Sequence, residues 1–159
     1  MPPEMTDFDP FSDDSFRKLE HIGIAVENLE EADILYSQML GVRRYKIEEV
    51  ASEGVRTAFY RVGETKIELL EASRPESAIA KFLEKRGPGI HHIAFDVADI
   101  WASMKRLREA GFKFTQEEPF PGADNKLVCF VHPKSAGGTL IELCQEISQA
   151  GDPASYTQD

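Results

Sequence analysis

The segment LEHIGIAV at residues 19–26 has a counterpart in IHHIAFDV at residues 90–97. In both segments a histidine is followed by apolar residues at alternating positions, which is typical of β-strands. Seven positions after His21 and after His92 comes a short polar residue, Asn28 and Asp99, and each predicts a helix N-cap. The chain therefore begins the same strand and helix twice.

The elements after each predicted N-cap also repeat. Each helix is expected to end at a glycine, Gly41 or Gly111. The apolar positions of the first helix are Leu29, Ala32, Tyr36, Met39 and Leu40. Three strands are then predicted in each half: 42–50, 55–62 and 65–71, and later 112–117, 126–131 and 138–145. The sequence thus predicts an α+β fold of two βαβββ modules in tandem, which form a curved mixed sheet with the helices outside.

These modules define one predicted domain at residues 17–147. Its parts are module one at 17–74, a linking helix at 75–87 and module two at 88–147. Residues 1–16 form an acidic N-terminal tail that we expect to be disordered, and residues 148–159 form a flexible C-terminal tail.

Charge and composition exclude several classes of function. The net charge is −10, but five acidic residues lie in 1–16 and three in 146–159, where there is no Lys or Arg. Residues 17–145 are therefore nearly balanced, and no basic surface indicates binding to nucleic acid. No apolar run is long enough for a bilayer, so no membrane association is expected. Two cysteines without a secretion signal indicate a reducing compartment, and we expect a cytoplasmic protein.

Four repeated positions could bind a metal ion. Each module offers a histidine on its first strand, His21 or His92, and a glutamate on its last strand, Glu68 or Glu142. A lone histidine on a strand is more often structural, but here both residue types recur in both modules. If the modules pair about a pseudo-twofold axis, the four side chains converge. Strand alternation places His91 on the opposite face, so it is not expected to be a ligand.

Two imidazoles and two carboxylates suit Co, Mn, Ni, Fe, Zn or Mg. The ligand types alone do not choose among these metals. His132 precedes a proline in a predicted loop, where it is either a substrate contact or has no role.

The residues that carry these patterns resemble the vicinal-oxygen-chelate superfamily, also called the glyoxalase superfamily. The likeness is greatest to its methylmalonyl-CoA epimerase family. It rests on HIGIAV at 21–26, GIHHIAF at 89–95 and HPKSAGGTLIEL at 132–143. The resemblance extends from about Lys18 to Gln145, and the last motif is the most specific.

The resemblance implies a metal-dependent epimerase acting on a small acyl-CoA. His21, Glu68, His92 and Glu142 would bind one divalent cation, with Co²⁺ as the usual metal and Mn²⁺, Ni²⁺, Zn²⁺ or Mg²⁺ as alternatives. The reaction would interconvert (2R)- and (2S)-methylmalonyl-CoA through an enolate, and a homodimer is expected. Glu142 is the predicted catalytic acid/base.

Three further site positions are implied by the same resemblance. Glu68 is the weaker candidate for the second acid/base, and some members of the family have Gln there. Lys134 and Ser135 are predicted to contact the substrate, although an ordinary surface turn would contain the same residues. Some members have a glutamate on the third strand that is proposed as an acid/base, and Thr57 occupies that position here.

Three other functions are alternatives that the sequence favours less. A glyoxalase-I-type lactoylglutathione lyase would use the same four ligands on a glutathione hemithioacetal. An extradiol dioxygenase is disfavoured because its iron site needs two histidines and one carboxylate with open positions. A metal-free binding protein of the bleomycin-resistance type would keep the fold without stoichiometric metal.

Overall fold

The computed structural model describes residues 15–147 of the 159-residue chain. In this range it contains β1 Lys18–Ala25, α1 Leu29–Leu40, β2 Lys46–Val50, β3 Val55–Val62, β4 Thr65–Ala72, α2 Ala78–Arg86, β5 Gly89–Asp96, α3 Ile100–Glu109, β6 Phe120–Pro121, β7 Lys126–Val131 and β8 Ile141–Glu146. Among these described residues, no helix has the length and apolar character needed to cross a membrane. The predicted tails lie outside the described residues, apart from residues 15 and 16.

The chain divides into two compact units, and most of β5, the first strand of the second repeat, lies in the same unit as the first repeat. One unit is Glu20–Ala94, and the other consists of the described residues up to Leu19 and from Phe95 onward. In the first unit the strands lie in the order β2-β3-β4-β1-β5, with β1 parallel to β4 and β3 antiparallel to both β2 and β4. In the second unit β7 lies between β8 and β6 and is antiparallel to both.

Strand register in the Glu20–Ala94 unit separates a polar face from an apolar one. Gly23 of β1 is paired with Glu68 of β4, and Glu68 is paired with Phe59 of β3. On the other face, apolar side chains pack with α1 in a cluster formed by Val26, Leu29, Ala58, Tyr60 and Leu69, together with the partly buried Ile24. As the alternation predicts, His21 and Gly23 therefore share the face opposite α1.

The helix N-caps are those that the sequence predicts. The Asn28 side chain accepts a hydrogen bond from the backbone N–H of Glu31 at 2.9 Å, and Asp99 does the same for Ala102 at 3.1 Å. Each cap satisfies one of the backbone donors that a helix start leaves without an intrahelical partner. Of the apolar positions of α1, Met39 is 64% exposed and does not belong to the core.

The strand predicted at 112–117 is absent from the second unit. Only Phe114 pairs there, in an isolated bridge with Val131, and the short β6 follows at Phe120–Pro121. Two backbone hydrogen bonds join this segment to the neighbouring segment of the chain, from the Thr115 N–H to the Phe130 carbonyl at 2.9 Å and from the His132 N–H to the Lys113 carbonyl at 2.7 Å. Side chains bind other backbone groups: the N–H of Lys113 donates to Ser135 Oγ at 3.1 Å, and Arg108 donates to the carbonyl of Glu117. The alternating pattern therefore lies in a loop that is anchored by one short stretch of backbone pairing and by side chains.

Candidate metal centre

Three of the four predicted metal ligands lie together within the Glu20–Ala94 unit. His21 is on β1, Glu68 on β4 and His92 on β5, and all three are buried. The Nε2 atoms of His21 and His92 are 3.0 Å apart, and His21 Nδ1 is 2.7 Å from Glu68 Oε2. The two imidazoles meet edge to face, with ring centroids 5.1 Å apart.

Gly23 makes the approach of the two histidines possible. A Cβ atom at this position would lie 2.1 Å from Cε1 of the His92 ring and 2.5 Å from its Nδ1. No side chain tolerates such contacts, so only glycine lets the ring lie against β1. The alternation predicted that Gly23 leaves room on this face, and the structure shows that the His92 ring takes that room.

His91 also contacts the ring of His92. Its Nδ1 lies 2.9 Å from Nδ1 of His92, and its ring packs edge to face on Phe82 of α2. Burial lowers the pKa of His91 to about 4, and burial, followed by the charges of His21 and His91, lowers the pKa of His92 well below its usual value. His92 is therefore neutral near pH 7, which is the form that binds metals.

Glu20 and Lys66 extend this cluster, although no feature of the sequence indicated either residue. Glu20 Oε2 hydrogen-bonds His21 Nδ1, and Glu20 Oε1 lies 2.8 Å from Lys66 Nζ. Burial would raise the pKa of Glu20, but the hydrogen bonds and charges of His21 and Lys66 together lower it to about 2. Glu20 is thus a buried carboxylate at neutral pH, paired with two basic groups.

This donor set fits a divalent cation. It offers two imidazole nitrogens that face each other, and the Glu68 carboxylate contacts the other ring nitrogen of His21; all three residues are buried. Nitrogen and oxygen donors of this kind suit the divalent metals from manganese to zinc. The chain therefore presents groups that are able to hold such an ion.

The remaining predicted site residues lie in the second unit. Glu142 is on β8, paired with Phe130 of β7, and is buried. Burial, followed by the charge of Glu142, raises the pKa of Cys129 to about 12. Ser135 lies in a short 3-10 turn, where its hydroxyl accepts the Lys113 N–H, and Lys134 beside it is exposed. The catalytic and substrate-binding roles of these residues stay predictions.

Thr57 lies on β3 and has no accessible surface. It pairs with Leu70 of β4 and with Glu48 of β2. Within the described part of the chain, its Oγ1 has no hydrogen-bond partner. Glu48, directly opposite on the neighbouring strand, lies 3.1 Å from Lys46 Nζ. The third strand therefore offers a buried hydroxyl, and the nearby carboxylate is on β2.

Comparison with known proteins identifies the superfamily. A family profile described as "Glyoxalase/Bleomycin resistance protein/Dioxygenase superfamily" matches residues 20–130. The chain belongs to this superfamily. The match confirms the resemblance predicted from the repeated His and Glu segments.

Several proteins similar in sequence to this chain are epimerases of acyl-CoA substrates. An ethylmalonyl-CoA/methylmalonyl-CoA epimerase of Cereibacter sphaeroides is 43% identical over 130 residues, which are 80% of this chain and 97% of that protein. A Streptomyces coelicolor methylmalonyl-CoA epimerase in complex with 2-nitronate-propionyl-CoA has a TM-score of 0.81 at 34% identity, covering 84% of this chain and 97% of that one.

A third member is the methylmalonyl-CoA epimerase of Mycobacterium tuberculosis. Its crystal structure has a TM-score of 0.80 at 37% identity and covers 88% of this chain and 93% of that one. These matches confirm the predicted fold class.

Proposed function

We propose that the chain is a methylmalonyl-CoA epimerase that interconverts the (2R) and (2S) forms of its substrate. The observation that carries this proposal is the 43% identity to the Cereibacter sphaeroides epimerase over 97% of that protein's length. The buried His21, Glu68 and His92 cluster supports it, because a cation held there would stabilise the negative charge that develops when a proton is removed next to a thioester.

The proposed metal ligands are His21, Glu68, His92 and Glu142. The facing Nε2 atoms support His21 and His92, and the contact of Glu68 with His21 brings that carboxylate to the same cluster. The repeat of the sequence supports Glu68 and Glu142. The cation, when bound, supplies positive charge that stabilises the negative charge developing on the thioester oxygen. We propose cobalt as the metal because of the family resemblance, with manganese, nickel, zinc and magnesium as the alternatives.

The chemistry of this chain's own residues is proton transfer at the carbon between the thioester and the carboxylate. One carboxylate accepts the proton from one face of that carbon, and a protonated group returns a proton to the opposite face. We assign the first role to Glu142 and the second to Glu68. Since Thr57 has no proton-accepting carboxylate, the third strand does not supply this group.

Hydrogen exchange at that carbon tests the proposal directly. The protein is stripped of metal, reloaded separately with Co²⁺, Mn²⁺, Ni²⁺, Zn²⁺ or Mg²⁺, and incubated with methylmalonyl-CoA in deuterated water. NMR then measures deuterium uptake, and a coupled assay measures epimerisation. Absence of both with every metal, or isomerisation of a glutathione hemithioacetal instead, would overturn the proposed function.

Glu142→Gln tests the assigned base, and Glu146→Gln on the same strand is its matched control. Glu146 pairs with Lys126 at the end of β8, away from the proposed chemistry. Loss of a general base slows proton transfer by about 10²–10⁴-fold. We expect the rate of α-proton exchange to fall by that factor in Glu142→Gln and to change little in Glu146→Gln. Equal exchange rates in the two variants would remove Glu142 from the reaction.

The remaining assignments complete the proposal. Lys134 and Ser135 contact the acyl-CoA, two copies of the chain form a homodimer, and the protein is cytoplasmic. Light scattering of the purified protein tests the dimer. A higher KM with unchanged kcat in Lys134→Ala would support its role in substrate binding.

A further inference from the structure

Two carboxylates contact one ring nitrogen of His21. Glu20 Oε2 hydrogen-bonds His21 Nδ1, and Glu68 Oε2 lies 2.7 Å from the same atom. A carboxylate can only accept a hydrogen bond, so Nδ1 is the nitrogen that carries the proton. One N–H cannot be shared equally well by two acceptors, and the surroundings of each carboxylate decide which one keeps it.

Lys66 favours Glu20 as the acceptor. Lys66 of β4 is the register partner of His21 on β1, and its Nζ lies 2.8 Å from Glu20 Oε1. Both side chains of this ion pair are buried, at 4% exposure for Glu20 and 11% for Lys66. A buried ion pair with an additional hydrogen bond holds its members in one geometry, whereas breaking it leaves a buried charge without compensation. Glu20 is therefore fixed between Lys66 and His21.

We propose that Glu20, held by Lys66, accepts the Nδ1 proton of His21 and thereby makes Nε2 of His21 the metal-binding nitrogen. This nitrogen is the one that faces Nε2 of His92 at 3.0 Å. Glu68 can then turn from His21 to the cation. Glu20 and Lys66 are thus positioning residues for the metal centre, and this inference rests on the proposed function because it concerns the same centre.

The protonation of His21 can be measured without substrate. Long-range ¹H–¹⁵N NMR of the histidine rings distinguishes a protonated Nδ1 from a protonated Nε2. We expect Nδ1 of His21 to be protonated in the metal-free protein and in the zinc-loaded protein. A zinc-loaded protein in which Nδ1 binds the metal and Nε2 is protonated would overturn the inference.

Metal affinity supplies the second readout, measured by chelator competition with the cobalt absorption spectrum as the signal. Loss of a carboxylate that orients a histidine ligand typically weakens metal binding by about 10–100-fold. We expect this loss in Glu20→Ala, with a changed cobalt spectrum. Glu20→Gln should lose less metal affinity than Glu20→Ala, because the amide oxygen of glutamine still accepts the hydrogen bond from His21 Nδ1. Lys66→Met, which keeps Glu20 but removes its anchor, should show an intermediate loss.

Glu71→Gln is the matched control for these variants. Glu71 is also on β4, but its carboxylate accepts the backbone N–H of Leu29 at 2.7 Å. The Glu71→Gln variant should bind metal with the affinity of the wild type. Wild-type affinity in both Glu20→Ala and Lys66→Met would overturn the inference. If Glu20→Ala does not fold, Lys66→Met and Glu20→Gln still decide the question.

These measurements separate the inference from the proposed function. Neither the NMR experiment nor the cobalt titration uses methylmalonyl-CoA. If the wild-type protein shows no epimerase activity but the Glu20 and Lys66 variants lose metal affinity as expected, the activity is refuted and the roles of Glu20 and Lys66 stand. If the wild-type protein is an active epimerase and the variants bind metal as tightly as the wild type, only the roles of Glu20 and Lys66 are refuted.

Discussion

Gly23→Ala is the substitution that should perturb the proposed metal centre most selectively. The added Cβ would lie 2.1 Å from Cε1 of His92, and contacts shorter than 3.0 Å essentially do not occur. The ring must therefore move by about 0.9 Å or more, and a misplacement of about 1 Å at a reaction centre can cost on the order of 10²-fold in rate. We expect cobalt affinity and α-proton exchange each to fall by about 100-fold.

The same substitution should also destabilise the metal-free protein. Extra atoms in a well-packed site typically cost about 1–3 kcal/mol. For a chain of this size that corresponds to a fall in Tm of roughly 3–9 °C. Thermal unfolding monitored by circular dichroism in the presence of a chelator measures this effect separately from the loss of metal.

His92→Ala provides the control in a double-mutant cycle. If Gly23 is needed only to admit the His92 ring, Gly23→Ala should cost little further stability once that ring is gone. The reasoning would be refuted if Gly23→Ala bound cobalt and unfolded like the wild type. It would also be refuted if the substitution cost as much stability with alanine at position 92 as with histidine.

Three further expectations concern residues outside this cluster. Thr57→Val should raise the free energy of unfolding by about 1 kcal/mol, because it removes a buried hydroxyl that has no partner among the described residues. Urea unfolding measures this, and a variant less stable than the wild type would contradict the expectation. Asn28→Ala should lower the free energy of unfolding by about 1 kcal/mol through loss of the α1 cap, and Asp99→Ala should cost a similar amount at α3. Burial raises the pKa of Cys129 to about 12, so iodoacetamide at pH 8 should label it only after denaturation, as checked by mass spectrometry.

Most elements of the fold arise from local chemistry. Asn28 and Asp99 identified the helix starts because a capping side chain acts on backbone groups three residues away. Alternation on β1 correctly separated His21 from the face that packs on α1. The prediction of a strand at 112–117 was wrong. The alternating pattern does not reveal that Ser135, a residue distant in sequence, binds the backbone N–H of Lys113.

The candidate site was predictable only in part. The repeat identified His21, His92 and Glu68, which the structure brings together. Glu20 and Lys66 were missed because strand alternation assigns neighbouring residues to opposite faces, which separates Glu20 from His21. The register between β1 and β4, which sets Lys66 beside His21, could not be derived from either strand alone.

The 3.0 Å separation between the two Nε2 atoms has a consequence for metal loading. Two nitrogen lone pairs repel each other at that distance, so one of the two rings must carry a proton on Nε2 that the other ring accepts. A cation bound by both Nε2 atoms takes the place of this hydrogen bond. The ring that donated the bond must then carry its ring proton on Nδ1, so metal loading requires a change in where that ring is protonated.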